Sequence, residues 1–283
     1  KELQSTGGAD TVVFINYTGP HAKIDSLASI KNIGSGLGSS ISRSTGSSAS
    51  AGDAGRYYVM HCIDPSSKDK LDADIMFIGK NATVDHVDNL RRIISAYLSS
   101  AYAYSQKDAD TLAVFITVYN AVYRGKLDAY QAKYKDAVTK NLSSASCGLA
   151  LSYKEWPGNT QIVIPLFDAA NGGLSTVDTS VISDSKVVKS MQKDDGKNIE
   201  SRKNMVDIKE READNAAEKA QTAQKKATDE QKKLDTEQQK NTQKQQEASS
   251  AQKEADQAKK EADQALKKAA ENPKDKQAQA EAQ

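Results

Sequence analysis

Hydrophobic positions follow two regimes along this chain, and the change falls near residue 190. Before it, apolar residues come in short dense runs. Residues 11–17 (TVVFINY), 56–64 (RYYVMHCID), 73–78 (ADIMFI) and 161–166 (QIVIPL) are β-branched or aromatic and bounded by turn formers, which predicts strands. In the second run, alternation sets Tyr57, Val59, His61 and Ile63 on one face and Tyr58, Met60 and Cys62 on the other. Both faces are largely apolar, so this strand is covered on two sides. Pro165 favours an edge position or a strand end for the last run, and residues 149–153 read as a further short strand.

Between the strands the spacing becomes helical. Ile24, Leu27, Ile30 and Ile33 predict a short helix closed by Gly34, followed by a Ser/Gly/Ala-rich surface loop over 39–55. The Gly34–Gly38 run (GSGLG) has the composition of a phosphate loop. It follows a helix instead of joining a strand to a helix N-terminus, and no GK[ST] is present, so nucleotide binding is set aside. Thr83 or Asp85 caps a helix that buries Val87, Leu90, Ile93, Ile94, Tyr97, Leu98 and Ala101. Asp108 or Asp110 opens a second helix, with Leu112, Phe115, Ile116, Tyr119, Val122 and Tyr123 inside. After Gly125 a third spans 127–142, with Tyr130 and Tyr134 on one face.

Beyond Gly196 the pattern is a seven-residue repeat of small residues. Positions 213, 220, 227, 234, 241, 248, 255, 262 and 269 read Ala, Ala, Ala, Leu, Asn, Ala, Ala, Ala, Ala. The companion set from 216 to 265 reads Ala, Ala, Glu, Glu, Lys, Ala, Ala, Ala. This is a coiled-coil signal whose upstream extension passes through Ile199 and Val206. Alanine buries little area, so any association through the seam is weak. Residues 198–271 as one rod would span roughly 110 Å; a hairpin reversing near 236–250 is the alternative.

Composition separates the same two materials. The last aromatic residue is Phe167, the last glycine is Gly196, and Pro273 is the one proline after Pro165. The expected organisation is a globular head at 1–188, a linker at 189–197, a long helix or helical hairpin at 198–272, and a disordered end at 273–283. The fold class is α/β or α+β: a small mixed-sheet head packed with three helices, followed by a long alanine-rich helical or coiled-coil tail. Net charge is +1 with both signs interspersed, which gives no field for nucleic acid. No run of about 18 apolar residues offers a transmembrane span. A start at Lys1 fits a processed mature form or an excised fragment. Cys62 and Cys147 form one disulfide or stay reduced and buried. Asn16, Asn81 and Asn141 open sequons that occur often by chance.

Candidate chemistry gathers near predicted strand ends. His21, His61 and His86 lie in no metal-ligand spacing. Asp72, Asp74, Asp85 and His86 are the candidate ligand or metal cluster, with Asp72 and Asp74 on one strand face. The simpler account makes Asp85 a helix cap and the other two acids strand-end solvation. Arg91 and Arg92 pair with these acids structurally or bind. Tyr97, Tyr102, Tyr104 and Trp156 are either interface aromatics or core. No catalytic residue, resident metal or cofactor is expected.

The motifs NYTGP (16–20), LDADI (71–75), VDHVDNLRR (84–92), ADTLA (109–113), ITVYNAVYRG (116–125), EWPG (155–158) and QIVIPL (161–166) resemble the N-terminal domain of the spirochaetal P83/100 antigen family. The Lys/Gln/Ala-rich tail is similar to the helical segment that follows that domain. The resemblance implies an exported protein of the periplasm or cell envelope and carries no catalytic residue. It adds Asn120 and Arg124 to the positions of interest. The leading expectation is a non-enzymatic envelope protein with a binding or scaffolding head, a helical spacer and a protein partner in the envelope. A metal-dependent or hydrolytic head, and a rod that self-associates weakly through the tail, are the alternatives.

Overall fold

The computed structural model describes residues 11–19, 26–41, 48–52, 55–67, 69–167, 176–191 and 196–271. His21, the end of the first predicted strand at Pro20, part of the linker and the segment 273–283 lie outside the described residues.

Helix α1 (Leu27–Ile41) is followed by strands β1 (Ser48–Gly52), β2 (Tyr57–Cys62) and β3 (Asp72–Ile78). Helices α2 (Val87–Tyr102), α3 (Gln106–Val122), α4 (Leu127–Lys133) and α5 (Asp136–Thr139) come next. Then follow β4 (Thr160–Phe167), β5 (Thr176–Val177), α6 (Thr179–Ile182), α7 (Ser185–Ser190) and α8 (Gly196–Glu271). The strands form one sheet in the order β1-β2-β3-β4-β5 with every pairing antiparallel. The head is therefore the α+β alternative, with an antiparallel sheet where a mixed one was expected.

The strands read from β2, β3 and β4 are present. The run 11–17 is not a sheet strand. It makes a single bridge, Ile15 with Ser152, and its N–H groups reach three separate places: Val12 to Ser190 O (2.7 Å), Ile15 to Leu151 O (2.8 Å) and Tyr17 to Asp85 O (2.9 Å). Residues 149–153 are likewise no strand; a 3-10 turn occupies Tyr153–Glu155. Pro165 sits in a strand that is interior by order, opposite Ala73, but β5 pairs with Leu166 and Phe167 alone. Further back along β4, Asn120 stands in for a neighbouring strand. Its Oδ1 accepts from Val163 N (2.8 Å) and its Nδ2 donates to Val163 O (2.9 Å).

Gly34 does not close α1; the helix runs through it. A Cβ on Gly34 would lie 2.1 Å from Ile93 O and one on Gly38 2.7 Å from Tyr97 O. These glycines, four apart on one face, let the α1 and α2 backbones meet. Within the expected loop over 39–55, residues 39–41 are the end of α1 and 48–52 are β1, while 42–47 and 53–54 lie outside the described residues. Helix α2 is capped by His86, whose side chain accepts from Asp88 N (3.1 Å), and α3 by Ser105, which accepts from Asp108 N (3.2 Å). The third predicted helix is broken at Tyr134 and Lys135, which are extended because they pair with Leu71: Leu71 N donates to Lys133 O and Lys135 N to Leu71 O (3.0 Å each).

The chain divides into two compact units, Lys1–Glu212 and Ala213–Gln283. In the first, α8 buries Asn198, Ser201, Met205 and Ile208, while Ile199 and Val206 are exposed. In the second, α8 is continuous helix with no reversal, which removes the hairpin. Its residues 213–264 are solvent-exposed.

Candidate functional site

The sheet places Asp72 and Asp74 on the same face of β3, and the fold encloses both. Asp74 lies opposite His61 of β2 and accepts from His61 Nδ1 at 2.6 Å. Two α2 residues complete the ring of donors: Tyr97 Oη at 2.6 Å and Tyr102 Oη. Burial, together with the Asp74 charge, pushes both tyrosine hydroxyls well above their ordinary value, so they act as fixed donors. Asp74 is 0 % exposed, and with three donors its carboxylate is satisfied from inside the protein.

Asp72 serves another partnership. Lys135 Nζ donates to Asp72 Oδ2 (2.9 Å) and to Asp64 O (2.7 Å), and Asp72 Oδ1 accepts from Asp64 N (2.8 Å). Both members of this ion pair are 4 % exposed, so the pair fixes the break between α4 and α5 onto the start of β3. Asp85 and His86 belong to the α2 entry, where the Asp85 carbonyl binds the 11–17 segment and His86 caps the helix. Among the described residues, no group of three or more His, Cys, Asp or Glu is arranged to hold a metal ion.

His86 and the arginines border open space. Lys31, Asp88, Arg91, Arg92, Asp110 and Lys197 are among the residues around a cleft of about 410 Å³ formed by α1, α2, α3 and the first turns of α8. A neighbouring cleft of about 500 Å³ includes Phe14, Asn16, His86, Arg91 and Lys197. Asp88 links the two. It accepts from Lys197 Nζ at 2.8 Å and lies 3.9 Å from Arg91. Burial raises its pKa, but Lys197, Arg91 and His86 outweigh this and hold it below the ordinary carboxylate value. Arg91 is locked further by Thr117 Oγ1 (3.0 Å) and lies over the Phe14 ring, 5.7 Å from its centre; Arg92 donates to Asn89 Oδ1 (2.6 Å). Across the cleft, Ser95 and Gln106 both donate to Asp110 Oδ1, at 2.6 and 2.8 Å. The cleft is thus lined by charges of both signs and suited to polar contacts.

The aromatic candidates are inside. Tyr97 and Trp156 are 0 % exposed and Tyr102 8 %, so they do not form a surface patch. Trp156 Nε1 donates to Ala150 O (2.8 Å). Tyr104, partly buried, accepts from Val177 N (2.9 Å), and burial raises its hydroxyl to about 12. Tyr119, Tyr123, Tyr130 and Tyr134 pack against one another in tilted and edge-on pairs, with Tyr119 and Tyr134 hydroxyls 2.9 Å apart. Arg124 clamps the loop before β4 through Ser146 O (2.7 Å) and Gly148 O (3.3 Å). Cys62 and Cys147 are free buried thiols; burial lifts Cys62 to about 11.

His61 and Lys135, which organise the two carboxylates, carry no local mark in the sequence. Hairpin register identifies the first, since pairing Tyr57 with Ile78 also places His61 opposite Asp74. Nothing local identifies the second.

Residues 1–283 match the family described as Borrelia P83/100 protein. No curated protein and no solved structure matches the chain.

Proposed function

Because the chain belongs to the Borrelia P83/100 family, we propose that it is a non-enzymatic, antigen-type protein of the cell envelope. It is exported and periplasmic or envelope-associated. Its head at 1–188 binds or scaffolds a protein partner, and the long helix beyond it serves as a spacer. The observation carrying this reading is the internal use of the reactive side chains. Asp74 is closed by His61, Tyr97 and Tyr102, and Asp72 by Lys135, leaving the polar clefts at α2 and α8 as the accessible chemistry. The hydrolytic or metal-dependent alternative through Asp72, Asp74, Asp85 and His86 has less to draw on, since two of its four members are enclosed. Among the described residues no helix is long and apolar enough to cross a membrane.

Fractionation of native cells tests the location. Osmotic release should deliver the protein with periplasmic markers, or detergent should deliver it with envelope markers. Co-fractionation with cytoplasmic markers overturns the proposal.

A further inference from the structure

The second compact unit of α8 carries a flanking charge pattern that its alanine seam does not require. The residue just before each position of the 220–269 set reads Lys219, Lys226, Lys233, Lys240, Glu247, Glu254, Glu261 and Lys268. The sign thus reverses at the middle of the exposed helix. On the opposite flank, residues 224, 231, 238, 245 and 252 are all glutamine. In a coiled coil these two flanks set the partner and its direction.

A parallel, in-register partner meets this pattern badly. Its flanking contacts would set Lys219, Lys226, Lys233, Lys240 and Glu247 against glutamines and Glu261 against Leu266, with Glu254 and Lys259 the one opposite-charge contact. Glu230, Glu237 and Lys244, which lie in the seam, would each face their own copy. Reversing the partner removes both defects. The lysine half then lies along the glutamate half, and each charged seam residue meets an uncharged one or lies beside Asn241.

We propose that α8 pairs antiparallel with a second copy of this chain, about a two-fold axis between Thr242 and Gln243. In this register Lys240, Lys233 and Lys226 face Glu247, Glu254 and Glu261 of the second copy. Seam layers are Ala220 with Ala265, Ala223 with Ala262, Ala227 with Ala258 and Leu234 with Ala251. Glu230 and Glu237 meet Ala255 and Ala248, past which their stems extend so that the carboxylates reach water. Asn241 meets Lys244. Leu266, exposed in the single chain, lies beside Ala217 of the second copy. The outermost flanking pair, Lys219 with Lys268, is like-charged and marks where the paired region ends. Alanine layers let the axes approach at the short end of the usual range of about 8–10 Å, and the small area they bury keeps the association weak and dependent on the flanking charges.

The inference rests on reading α8 as an exposed arm and is tested on the full chain. In sedimentation equilibrium the parent should show a monomer–dimer equilibrium. The triple variant Lys226→Glu, Lys233→Glu, Lys240→Glu should dimerise at least about tenfold more weakly, as should Glu247→Lys, Glu254→Lys, Glu261→Lys. An equimolar mixture of the two should recover the parent's association. Orientation is read separately with a spin label on Lys225→Cys, since Cys62 and Cys147 are buried. The antiparallel pair places the two labels about 50 Å apart, whereas a parallel pair places them within about 20 Å. A chain monomeric at every concentration, triple variants that dimerise like the parent, or the short label distance overturns the proposal. A monomeric chain that still fractionates with the envelope loses this inference alone and leaves the proposed location standing.

Discussion

Asp74 shows what one buried carboxylate does when three donors converge on it. Its charge is stabilised by His61, Tyr97 and Tyr102, and it ties β2, β3 and α2 together through side chains. Asp74→Ala would strand buried donors in a site without water access, each costing about 1–3 kcal/mol. Unfolding by urea at pH 8 should therefore show a loss of about 3 kcal/mol or more. The tyrosines add a pH signature. Their folded pKa values lie above the unfolded value, so their contribution is complete below about pH 10 and is lost as pH rises through the folded values. Parent stability measured at pH 11 should fall below that at pH 8. Equal stability at the two pH values, or a neutral Asp74→Ala, would show that the network does not hold the fold. Asp74 was legible as a candidate because an acid inside an apolar strand is conspicuous. Its role was not, because two of its three partners lie more than 20 residues away and the third across a hairpin.

At the scale of elements, α1 and α2 form the contact that sequence describes least well. Glycine in a helix costs roughly 0.5–1 kcal/mol relative to alanine, so a run such as GSGLG reads as a stop. The cost is offset only when another backbone comes close, as Ile93 and Tyr97 of α2 do against Gly34 and Gly38. Gly36, between them, meets nothing within 4 Å. The three positions therefore separate propensity from packing. Gly36→Ala should raise stability by about 0.5–1 kcal/mol. Gly34→Ala should lower it by about 1–3 kcal/mol, because the added methyl meets a carbonyl that cannot withdraw without moving α2. Denaturation midpoints of the two variants test this, and a shift in the same direction for both removes the close-approach argument. The same contrast explains the other misreadings. Strands β2, β3 and β4 and helices α2 and α3 are visible because their periodicity is local. The break at Tyr134 is not visible, because Leu71 and the buried Lys135–Asp72 pair impose it from elsewhere in the chain. The run 11–17 has the composition of a strand but finds only one bridge.

For the whole molecule, the question is where cooperative folding stops. Composition draws the line near 188, after the last rings and before the alanine repeat. Packing continues past it: Met205 and Ile208 on α8 are each 3 % exposed within the compact unit that reaches Glu212. Arg211 pairs with Asp108 at 2.8 Å and Thr179 Oγ1 donates to Glu212 Oε2 at 2.5 Å, but Arg211 is half-exposed, so its ion pair adds little. Met191, 2 % exposed, and these two apolar side chains carry the difference, at about 1.5–3 kcal/mol each for full burial. A chain ended after Glu212 should keep the full-length melting midpoint for its cooperative transition. One ended after Val188 should melt lower by roughly 9–18 °C, from a loss of about 4.5 kcal/mol in a domain of this size. Residues 213–264, exposed and alanine-rich, should contribute a broad helix signal that fades with temperature without sharpening the transition. Calorimetry of the three chains separates these terms. If the chain ended after Val188 melts with the longer ones, the first turns of α8 are passengers and the head closes where composition draws its line. If it melts early, those turns are part of the head's core, and the helix belongs to two units at once because its buried stripe stops at Ile208 while its backbone does not.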